Sequence, residues 1–312
     1  QDSGTRLLEI LHNRKVYERK DENGYARMIS QPVFDGIDIV YNDVVMERIT
    51  HNAKPMSGLF EIHFCQDGRI ECSFENGKCL YMNGGDICWA GKRAVPFAIV
   101  RYFPTGFYKG LSLAVYVPKA QAAVDAFVGK NSIDLEEGAI VSARLTGGAG
   151  EGYGPLKRAF MDLYNVPDVL PEVYLRVKCV EIFCIAWHID GESGDEHIYF
   201  ECAQVETIKR IHDEIYNDLG NHHTIEALAN RHRISMTAFK TFFKAVYGIT
   251  IYQYVKRCRM NFAAKDLVNT NDAIFGDTNR WGYENGSKFS SAFKQIMGCN
   301  PREYRVKNKM LN

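Results

Sequence analysis

Two similar stretches in the last third of the chain constrain its fold more than any other feature. They read TIEALANRHRISMTAFKTFFKAVYG (Thr224–Gly248) and AIFGDTNRWGYENGSKFSSAFKQIMG (Ala273–Gly298). Three residue pairs coincide when the stretches are aligned on their aromatics: Phe239 and Phe289, Phe243 and Phe293, Gly248 and Gly298. Each repeat predicts a helix, a tight turn and a second helix, and the unbroken segment 251–268 predicts one connecting helix.

The second helix of each repeat has an apolar and a polar side. Spacing of i, i+3, i+4 and i+7 predicts the side that faces the core: Phe239, Phe242, Phe243 and Val246 in one repeat, Phe289, Ala292, Phe293 and Ile296 in the other. The outward positions carry mostly short polar residues and lysines, without Asp or Glu: Met236, Thr237, Lys240, Thr241 and Lys244, then Ser287, Lys288, Ser291, Lys294 and Gln295, with Ser290 at the side. Ser and Thr can lie close to base edges, and Lys can bind phosphates. This composition favours a DNA-binding surface over two ordinary solvated helices that lack acids by chance.

Paired units of this kind are typical of helix-turn-helix DNA binding, in which the second helix enters the major groove. Two units on a rigid connector would read major-groove segments about 34 Å apart on one face of the DNA. The charge distribution agrees, because residues 205–312 hold 17 Lys and Arg against 10 Asp and Glu, a net charge of +7 that residues 1–204 balance. A charge imbalance alone also fits a solvated surface.

At these residues the chain resembles the AraC/XylS family of transcription regulators. The motifs are WGY, SKFSSAFK and NPREYR in the second repeat, and IEALA, FKTFFK and YVKRCRM in the first repeat and connector. SKFSSAFK is similar to the siderophore-responsive branch typified by the pyochelin regulator. The resemblance implies a cytoplasmic DNA-binding regulator. The residues expected nearest the bases are Thr237, Thr241, Ser287 and Ser291, and those expected to bind phosphates are Lys240, Lys244, Lys288, Lys294, Arg302 and Arg305.

Three positions depart from the family pattern. Arg233 stands in the first turn where the family has Gly, at a position that needs a positive φ, so Arg predicts strain, a different turn or a phosphate contact. Asp277 and Thr278 replace an apolar and a small residue of the family. If the helix register is kept, both point toward the core, where an unpaired carboxylate would be costly; a local slip around Gly276 is the alternative.

The segment 34–117 has the composition of β structure. Alternating and apolar runs are separated by Asp-Gly, Asn-Gly and Asn-Gly-Gly, which predict turns at residues 67–68, 76–77 and 83–85. Many short strands predict a small barrel or double-sheet jelly roll, and the family resemblance implies a cupin-like sensing and dimerisation domain. The charged first 30 residues predict a short helix.

Three helices are predicted between this β region and a linker. They read KAQAAVDAFVG, GPLKRAFMDLYNV and PEVYLRVKCVEIFCIAWHID. The third is apolar around much of its circumference, with a stripe that other apolar positions widen: Val173, Val177, Val180, Cys184 and Trp187, widened by Leu175, Ile182 and Ile185. Such a helix is either buried in its own domain or shared with a partner chain.

The predicted fold class is α+β, with two domains. Residues 1–189 form the cupin-like domain, with the barrel at about 34–117 and dimerisation helices at about 118–189. Residues 190–204 form a polar linker, and residues 205–312 form an all-α DNA-binding domain with two helix-turn-helix units.

Nothing in the sequence predicts an enzyme. The chain has no GxSxG, P-loop or HExxH motif, and the strand region contains only His51 and His63, without the spacing of cupin metal ligands. The nine cysteines include no CxxC pair and are interpreted as free thiols of a reducing cytosol. The glycine-rich segment 147–154 is interpreted as a flexible loop rather than a phosphate cradle. We expect no cofactor, no metal and no membrane span.

The predicted barrel is the expected site of an effector. Aromatics in strands are core residues by default, and the candidates for a ligand pocket are Trp89, Arg101, Tyr102 and His63. Arg101 would pair either with a ligand carboxylate or with a surface acid. The expected partners are double-stranded DNA, a small-molecule effector for which a siderophore-like compound is a candidate, a second copy in a homodimer, and RNA polymerase if the protein is an activator. Two alternatives remain: a constitutive DNA binder whose barrel only dimerises, and a cupin-like enzyme fused to a DNA-binding tail.

Overall fold

The chain divides into two units in the computed structural model, Gln1–Cys202 (unit 1) and Ala203–Asn312 (unit 2). The structure describes residues 5–309 except 12, 23, 51–56, 74–76, 91–99, 137–143, 147–153, 167–170, 189–199, 221–223, 271–273 and 275–277. Residues 147–153 of the glycine-rich segment and most of the predicted linker therefore lie outside the described residues. Among the described helices, none combines the length and apolar composition needed to cross a membrane.

The described residues of unit 1 form a ten-stranded antiparallel sheet and a separate two-stranded ribbon. The strands are β1 (Thr5–Leu11), β2 (Arg14–Asp21), β3 (Gly24–Phe34), β4 (Ile37–Val45), β5 (Arg48–Thr50), β6 (Leu59–Ser73), β7 (Lys78–Asn83), β8 (Ile87–Ala90), β9 (Val100–Tyr102), β10 (Tyr108–Tyr116), β11 (Arg144–Thr146) and β12 (Phe200–Glu201). The sheet follows the order β1-β2-β3-β4-β10-β6-β7-β12, β8 pairs with β6 and β11, and β5 pairs with β9 to form the ribbon. The described strands do not close into a ring, so a cupin-like barrel stays a prediction.

The prediction of a short helix in the first 30 residues is wrong, because this segment forms β1, β2 and most of β3. Its charged residues make a row across neighbouring strands, in which Arg6 lies opposite Glu18, Glu18 opposite Arg27, and Arg27 opposite Asp43. Opposite charges facing each other across strands stabilise the pairing. That pattern arises between segments and is not visible within any one of them.

The predicted turn at Asp67–Gly68 is also wrong, because both residues lie inside β6. Here the pairing with β10 shifts by one residue, since Lys109 pairs with Asp67 but Gly110 pairs with Cys65. The shift is a β-bulge, which bends a strand without ending it. Gly68 has a φ of +82°, and a Cβ on it would lie 2.3 Å from the carbonyl oxygen of Phe107, so only glycine fits.

The two faces of the sheet carry separate cores. One face packs against the three predicted helices, which the structure confirms as α1 (Val117–Val128), α2 (Gly154–Tyr164) and α3 (Glu172–Trp187). Phe64 of the sheet stacks on Phe160 of α2 with ring centroids 5.6 Å apart. The other face holds Val44 and Cys65 together with Phe103, whose ring stacks on Tyr108 at 5.5 Å.

Helix α3 lies with its predicted apolar stripe mostly outward. Its buried side is formed by Leu175, Cys179, Ile182, Phe183 and Ala186. Val173 and Val177 are 51% and 49% exposed, and Cys184 is exposed as well. The helix therefore has one apolar side in its own core and a second apolar side on the surface of the described chain.

Unit 2 is helical where it is described. Its helices are α4 (Cys202–Asn217), α5 (Ile225–Arg231), α6 (Met236–Tyr247), α7 (Ile251–Asn269), α8 (Gly286–Met297) and α9 (Pro301–Lys309), with a 3₁₀ turn at Asn279–Trp281. The single connecting helix that the sequence predicts is α7. A core of the second repeat forms where α7 meets Trp281, Phe289 and Phe293. α4 follows directly after β12, so residues 200–204 of the predicted linker lie in a strand and a helix.

Candidate nucleic-acid interface

The two candidate recognition helices, α6 and α8, begin and end in the same way. The Ser235 hydroxyl accepts a hydrogen bond from the Ala238 amide at 3.2 Å, and the Asn285 side chain accepts from the amides of Ser287 and Lys288 at 2.8 and 3.2 Å. Side-chain caps of this kind satisfy amides that have no partner inside the helix. Both helices end at a glycine in the left-handed region. Asn285 therefore caps the start of α8, and Gly298 ends it.

The outward sides of α6 and α8 are exposed as the sequence predicts. Phe239, Phe243, Phe289 and Phe293 are fully buried. All the polar residues predicted to reach DNA from these helices are exposed: Thr237, Lys240, Thr241, Lys244, Ser287, Lys288, Ser291 and Lys294. Because neither helix contains an Asp or Glu, each presents hydroxyls and ammonium groups without a carboxylate of its own.

The turns that precede the two helices share one backbone hydrogen-bond pattern. The amide of Arg233 donates to Asn230 and that of Ile234 to Ala229, while the amide of Gly282 donates to Asn279 and that of Tyr283 to Thr278. Arg233 therefore corresponds to Gly282, and both have a positive φ, +54° and +73°. The predicted requirement for a positive φ at Arg233 is confirmed, and an arginine occupies a backbone region that favours glycine.

Thr278 fills the place that Ala229 takes in the first repeat, and it is buried as the sequence analysis expects. Its hydroxyl donates to the carbonyl of Tyr283 at 2.6 Å. A buried hydroxyl with such a partner avoids most of the desolvation penalty. The cost expected for burying Thr278 is thus offset by a hydrogen bond within the turn itself. Asp277 and Gly276 lie outside the described residues.

Arg259 of α7 connects this helix to the turn of the second repeat and to the segment that follows α4, and sequence reasoning missed it. Its guanidinium donates to the carbonyls of Leu219, at the end of α4, and of Gly282, at 2.9 and 3.3 Å. Burial lowers the pKa of this guanidinium below its ordinary value. A Cβ on Gly282 would lie 2.5 Å from Cζ of Arg259, so the glycine also makes room for this contact. Arg259 is therefore a positioning residue for the second turn.

The two arginines predicted to bind phosphates from α9 differ in environment. Arg302 is exposed in the first turn of the helix. Arg305 is half-buried, and its Nε donates to the carbonyl of Leu267 in α7 at 2.9 Å. Arg305 thus helps to hold α9 on α7.

Of the four predicted ligand residues, Arg101 lines a cavity of about 1000 Å³ in unit 1. His63 is buried, with Nδ1 2.7 Å from the Ser112 hydroxyl. Tyr102 is buried, and its ring lies under the guanidinium of Arg48 at 5.8 Å. Trp89 belongs to β8, where it pairs with Arg144 of β11, but its side chain is outside what the structure describes. The structure therefore brings Arg101 alone of these four to the described lining of this cavity.

Two buried cysteines, Cys65 and Cys179, lie in environments that do not favour thiolate chemistry. All nine are free thiols, and burial raises the pKa of Cys65 and raises that of Cys179 to about 12. Nucleophilic and metal-binding cysteines act as thiolates, which such an environment disfavours. Within the described part of the chain, no group of three or more His, Cys, Asp or Glu residues is arranged to hold a metal ion.

Comparison with known proteins assigns the fold of unit 2. Residues 228–307 match the family model described as a helix-turn-helix domain. The chain is 24% identical over 103 residues to the HTH-type transcriptional activator RhaR of Mannheimia succiniciproducens, which covers 33% of this chain and 37% of that protein. It is 29% identical over 91 residues to a putative AraC-like transcription regulator of Streptomyces antibioticus, covering 29% and 30% of the two chains.

Two other matches cover a similar share of this chain. The multiple antibiotic resistance protein MarA of Salmonella typhimurium is 28% identical over 102 residues, which cover 33% of this chain and 80% of MarA. The C-terminal domain of AraT, a response regulator from Geobacillus stearothermophilus, is 28% identical over 32% of this chain and 84% of that one, with a TM-score of 0.32.

The sequence matches identify a helix-turn-helix domain at residues 228–307, which is similar to that part of an AraC-like regulator. The first two relatives are named as transcription regulators. The match spans about a third of the length of each of those two relatives, 37% and 30%.

Proposed function

We propose that this protein is a transcription regulator whose unit 2 binds specific DNA sequences and whose unit 1 responds to a small molecule. One observation carries the proposal: α6 and α8 are capped helices of an AraC-type helix-turn-helix domain, and their exposed sides hold Ser, Thr and Lys without an acid. Such a surface suits a polyanion whose phosphates and base edges both need hydrogen-bond partners.

Each helix would lie in a major groove with its N-terminal half toward the bases. The short side chains would approach the base edges: Thr237, Thr241, Ser287 and Ser291. The cations would bind phosphates on either side: Lys240, Lys244, Lys288, Lys294 and Arg302. Arg305 would act indirectly, because its contact with Leu267 holds α9 in place.

Unit 1 would form a homodimer through the exposed side of α3. Val173, Val177 and Cys184 are spaced by four and seven residues, so they share one side of the helix, opposite its buried side. A second copy would cover this apolar surface. A dimer would also place two copies of unit 2 on one DNA, which raises the overall affinity.

The AraC/XylS resemblance extends the proposal to the whole chain. In that reading unit 1 is a cupin-like sensing domain, its effector biases one state of the protein over another, and RNA polymerase is a partner if the regulator activates. The resemblance of SKFSSAFK to the siderophore-responsive branch makes a siderophore-like compound one candidate effector. A DNA-binding regulator of this kind would act in the cytoplasm.

The test of DNA binding is a charge reversal on α8. A specific site is first selected from a pool of random double-stranded DNA with the wild-type protein. Lys288→Glu combined with Lys294→Glu should then abolish its gel shift at moderate salt, because each reversal removes a phosphate contact and adds repulsion. We expect a loss of affinity of at least about 100-fold.

The matched control reverses two exposed lysines of unit 1, Lys119 and Lys130, to glutamate. This control changes the net charge of the protein equally and should leave the gel shift nearly intact. Specific binding that survives the α8 reversals, or that fails equally in the control, contradicts the assignment of α8 as a recognition helix.

A further inference from the structure

The cavity of about 1000 Å³ in unit 1 combines an apolar wall with arginines. The wall includes Val44, Phe103 and Tyr108, which belong to the core on this face of the sheet. No Asp or Glu occurs among the described residues that line it, whereas four arginines do. A volume of this size accommodates a drug-sized molecule.

Strand alternation separates the four arginines into two pairs. Residues directly opposite each other on paired strands share a face of the sheet, and neighbours along a strand do not. Arg6 and Arg27 belong to the charged row with Glu18 and Asp43. Since Asp43 adjoins Val44 along β4, this row lies on the face of the sheet opposite the Val44 core, here called the outer face. These two arginines have acids beside them on their own face.

Arg19 and Arg101 belong to the inner face. Arg19 lies opposite Ala26, and Ala26 lies opposite Val44, which is part of the inner core. On the ribbon, Arg101 lies opposite the buried Ile49, and both line the cavity. Two guanidinium groups from separate parts of the fold are therefore directed toward one apolar space.

Each of these two guanidinium groups has an acid of the protein beside it. Nε of Arg19 donates to Asp21 at 3.1 Å, in a pair that is partly open to solvent. Such pairs add little stability, so another carboxylate can compete for the guanidinium. Arg101 lies 4.0 Å from Glu61, which is too long for a hydrogen bond, and Glu61 also lies 3.3 Å from Nε2 of His63.

We propose that this cavity binds a small amphipathic carboxylate, with the apolar body against Val44 and Phe103 and the carboxylate held by Arg19 and Arg101. The planar guanidinium fork matches a carboxylate in two parallel hydrogen bonds. The apolar wall disfavours a fully polar anion. Polar groups lose their hydration when they lie against apolar side chains, and no hydrophobic stabilisation compensates for that loss. The inference rests on the proposed sensing role of unit 1 and names the chemical class of its effector.

The experiment compares two probes of nearly equal shape on the full-length protein. Biphenyl-4-carboxylate and its neutral analogue biphenyl-4-methanol are titrated by calorimetry into the wild type and into the variants Arg19→Gln, Arg101→Gln and Arg27→Gln. We expect the wild type to bind the acid about tenfold or more tightly than the alcohol, because a charge-assisted hydrogen bond contributes that much. Arg19→Gln and Arg101→Gln should each remove most of this preference while leaving alcohol binding unchanged.

Arg27→Gln is the matched control, since it removes the same charge from a lining residue on the outer face and should keep the preference. Equal affinities for acid and alcohol in the wild type overturn the proposal, as does a preference that survives in both inner-face variants or is lost equally in Arg27→Gln. Absence of acid binding at about 1 mM also overturns it. If a glutamine variant does not fold, the wild-type comparison of the two probes still decides.

The gel shift of the wild type with and without the acid separates this inference from the proposed function. Arginine-dependent binding of the acid without any change in DNA affinity or promoter output would leave the ligand class standing and contradict the sensing role. A failure of DNA binding altogether would contradict the proposed function and leave the cavity result untouched.

Discussion

Arg233 shows how a single residue can depart from a repeat without changing its backbone. The turn around Arg233 has the hydrogen bonds of the turn around Gly282, although a side chain at φ of +54° meets its own backbone. A non-glycine residue in the left-handed region is destabilised by about 1–2 kcal/mol. Since the second repeat shows the same turn with glycine, the strain in the first is not needed to form the turn.

Arg233→Gly should therefore raise the free energy of unfolding of unit 2 by about 0.5–1 kcal/mol, because the relief of strain exceeds the extra entropy of glycine in the unfolded chain. Chemical denaturation followed through the transition of unit 2 measures it. Arg233→Ala is the control, since it removes the side chain and keeps the Cβ, and it should give no gain. If alanine stabilises as much as glycine, the arginine side chain and not its backbone is the cause.

The same pair of variants tests the third explanation of Arg233, a phosphate contact. If the guanidinium binds DNA, glycine and alanine should weaken the gel shift equally, and the slope of log affinity against log salt should fall by about one. An unchanged gel shift in both variants would leave the turn without a role in DNA binding.

At the scale of elements, a contact from α7 holds the turn of the second repeat. The local signals in the repeats, such as caps at Ser235 and Asn285, determine where α6 and α8 begin. They do not determine how the second turn is fixed to α7. That depends on Arg259, whose two hydrogen bonds join residues 40 and 23 positions away in the sequence.

Arg259→Met should lower the free energy of unfolding of unit 2 by about 2–3 kcal/mol, because it leaves the carbonyls of Leu219 and Gly282 without their charged donor. Methionine keeps most of the apolar stem, so lost packing contributes little. Urea denaturation is the measurement. Arg257→Met removes an exposed arginine from the same helix and should change stability by less than about 0.5 kcal/mol. Equal effects of the two substitutions would show that the loss of a positive charge, and not the loss of the two hydrogen bonds of Arg259, is responsible.

At the scale of the whole molecule, the two apolar sides of α3 are the reason to expect a homodimer. One side packs in the core of unit 1, and the other exposes Val173 and Val177 by about half. Neighbouring exposed apolar residues on one helix side are typical of an interaction surface. Because one apolar side is buried and another is exposed, the apolar pattern alone left both interpretations of this helix open.

Val177→Asp should convert a dimer into a monomer, because the carboxylate would be buried without a partner in the interface. Sedimentation equilibrium of the full-length protein measures the mass. Ala126→Asp is the control, because it adds the same charge at an exposed position of α1 and should leave the mass unchanged. A monomeric wild type, or a dimer that persists in Val177→Asp, contradicts α3 as the interface.

The predictability of the candidate interface differed from that of unit 1 for a physical reason. The faces of α6 and α8, the cap at Asn285 and the positive φ at Arg233 follow from residues within four positions of each other, which a sequence displays directly. In unit 1 the deciding contacts are distant. The row from Arg6 to Asp43 stabilises strands where charge content predicted a short helix. Pairing with β10 continues β6 through the residues where a turn was predicted.

The sequence by itself determined the repeated helix-turn-helix, its outward polar surface and the ends of its helices, because helix periodicity and capping are local interactions of a few residues. Only the tertiary structure decided that α3 turns Leu175 and Ile182 inward and Val177 outward, and that Arg19 and Arg101 line one cavity. A helix that is apolar on two sides does not reveal which side its core will take. Two arginines 82 positions apart share a cavity only once strand pairing has chosen the face on which each lies.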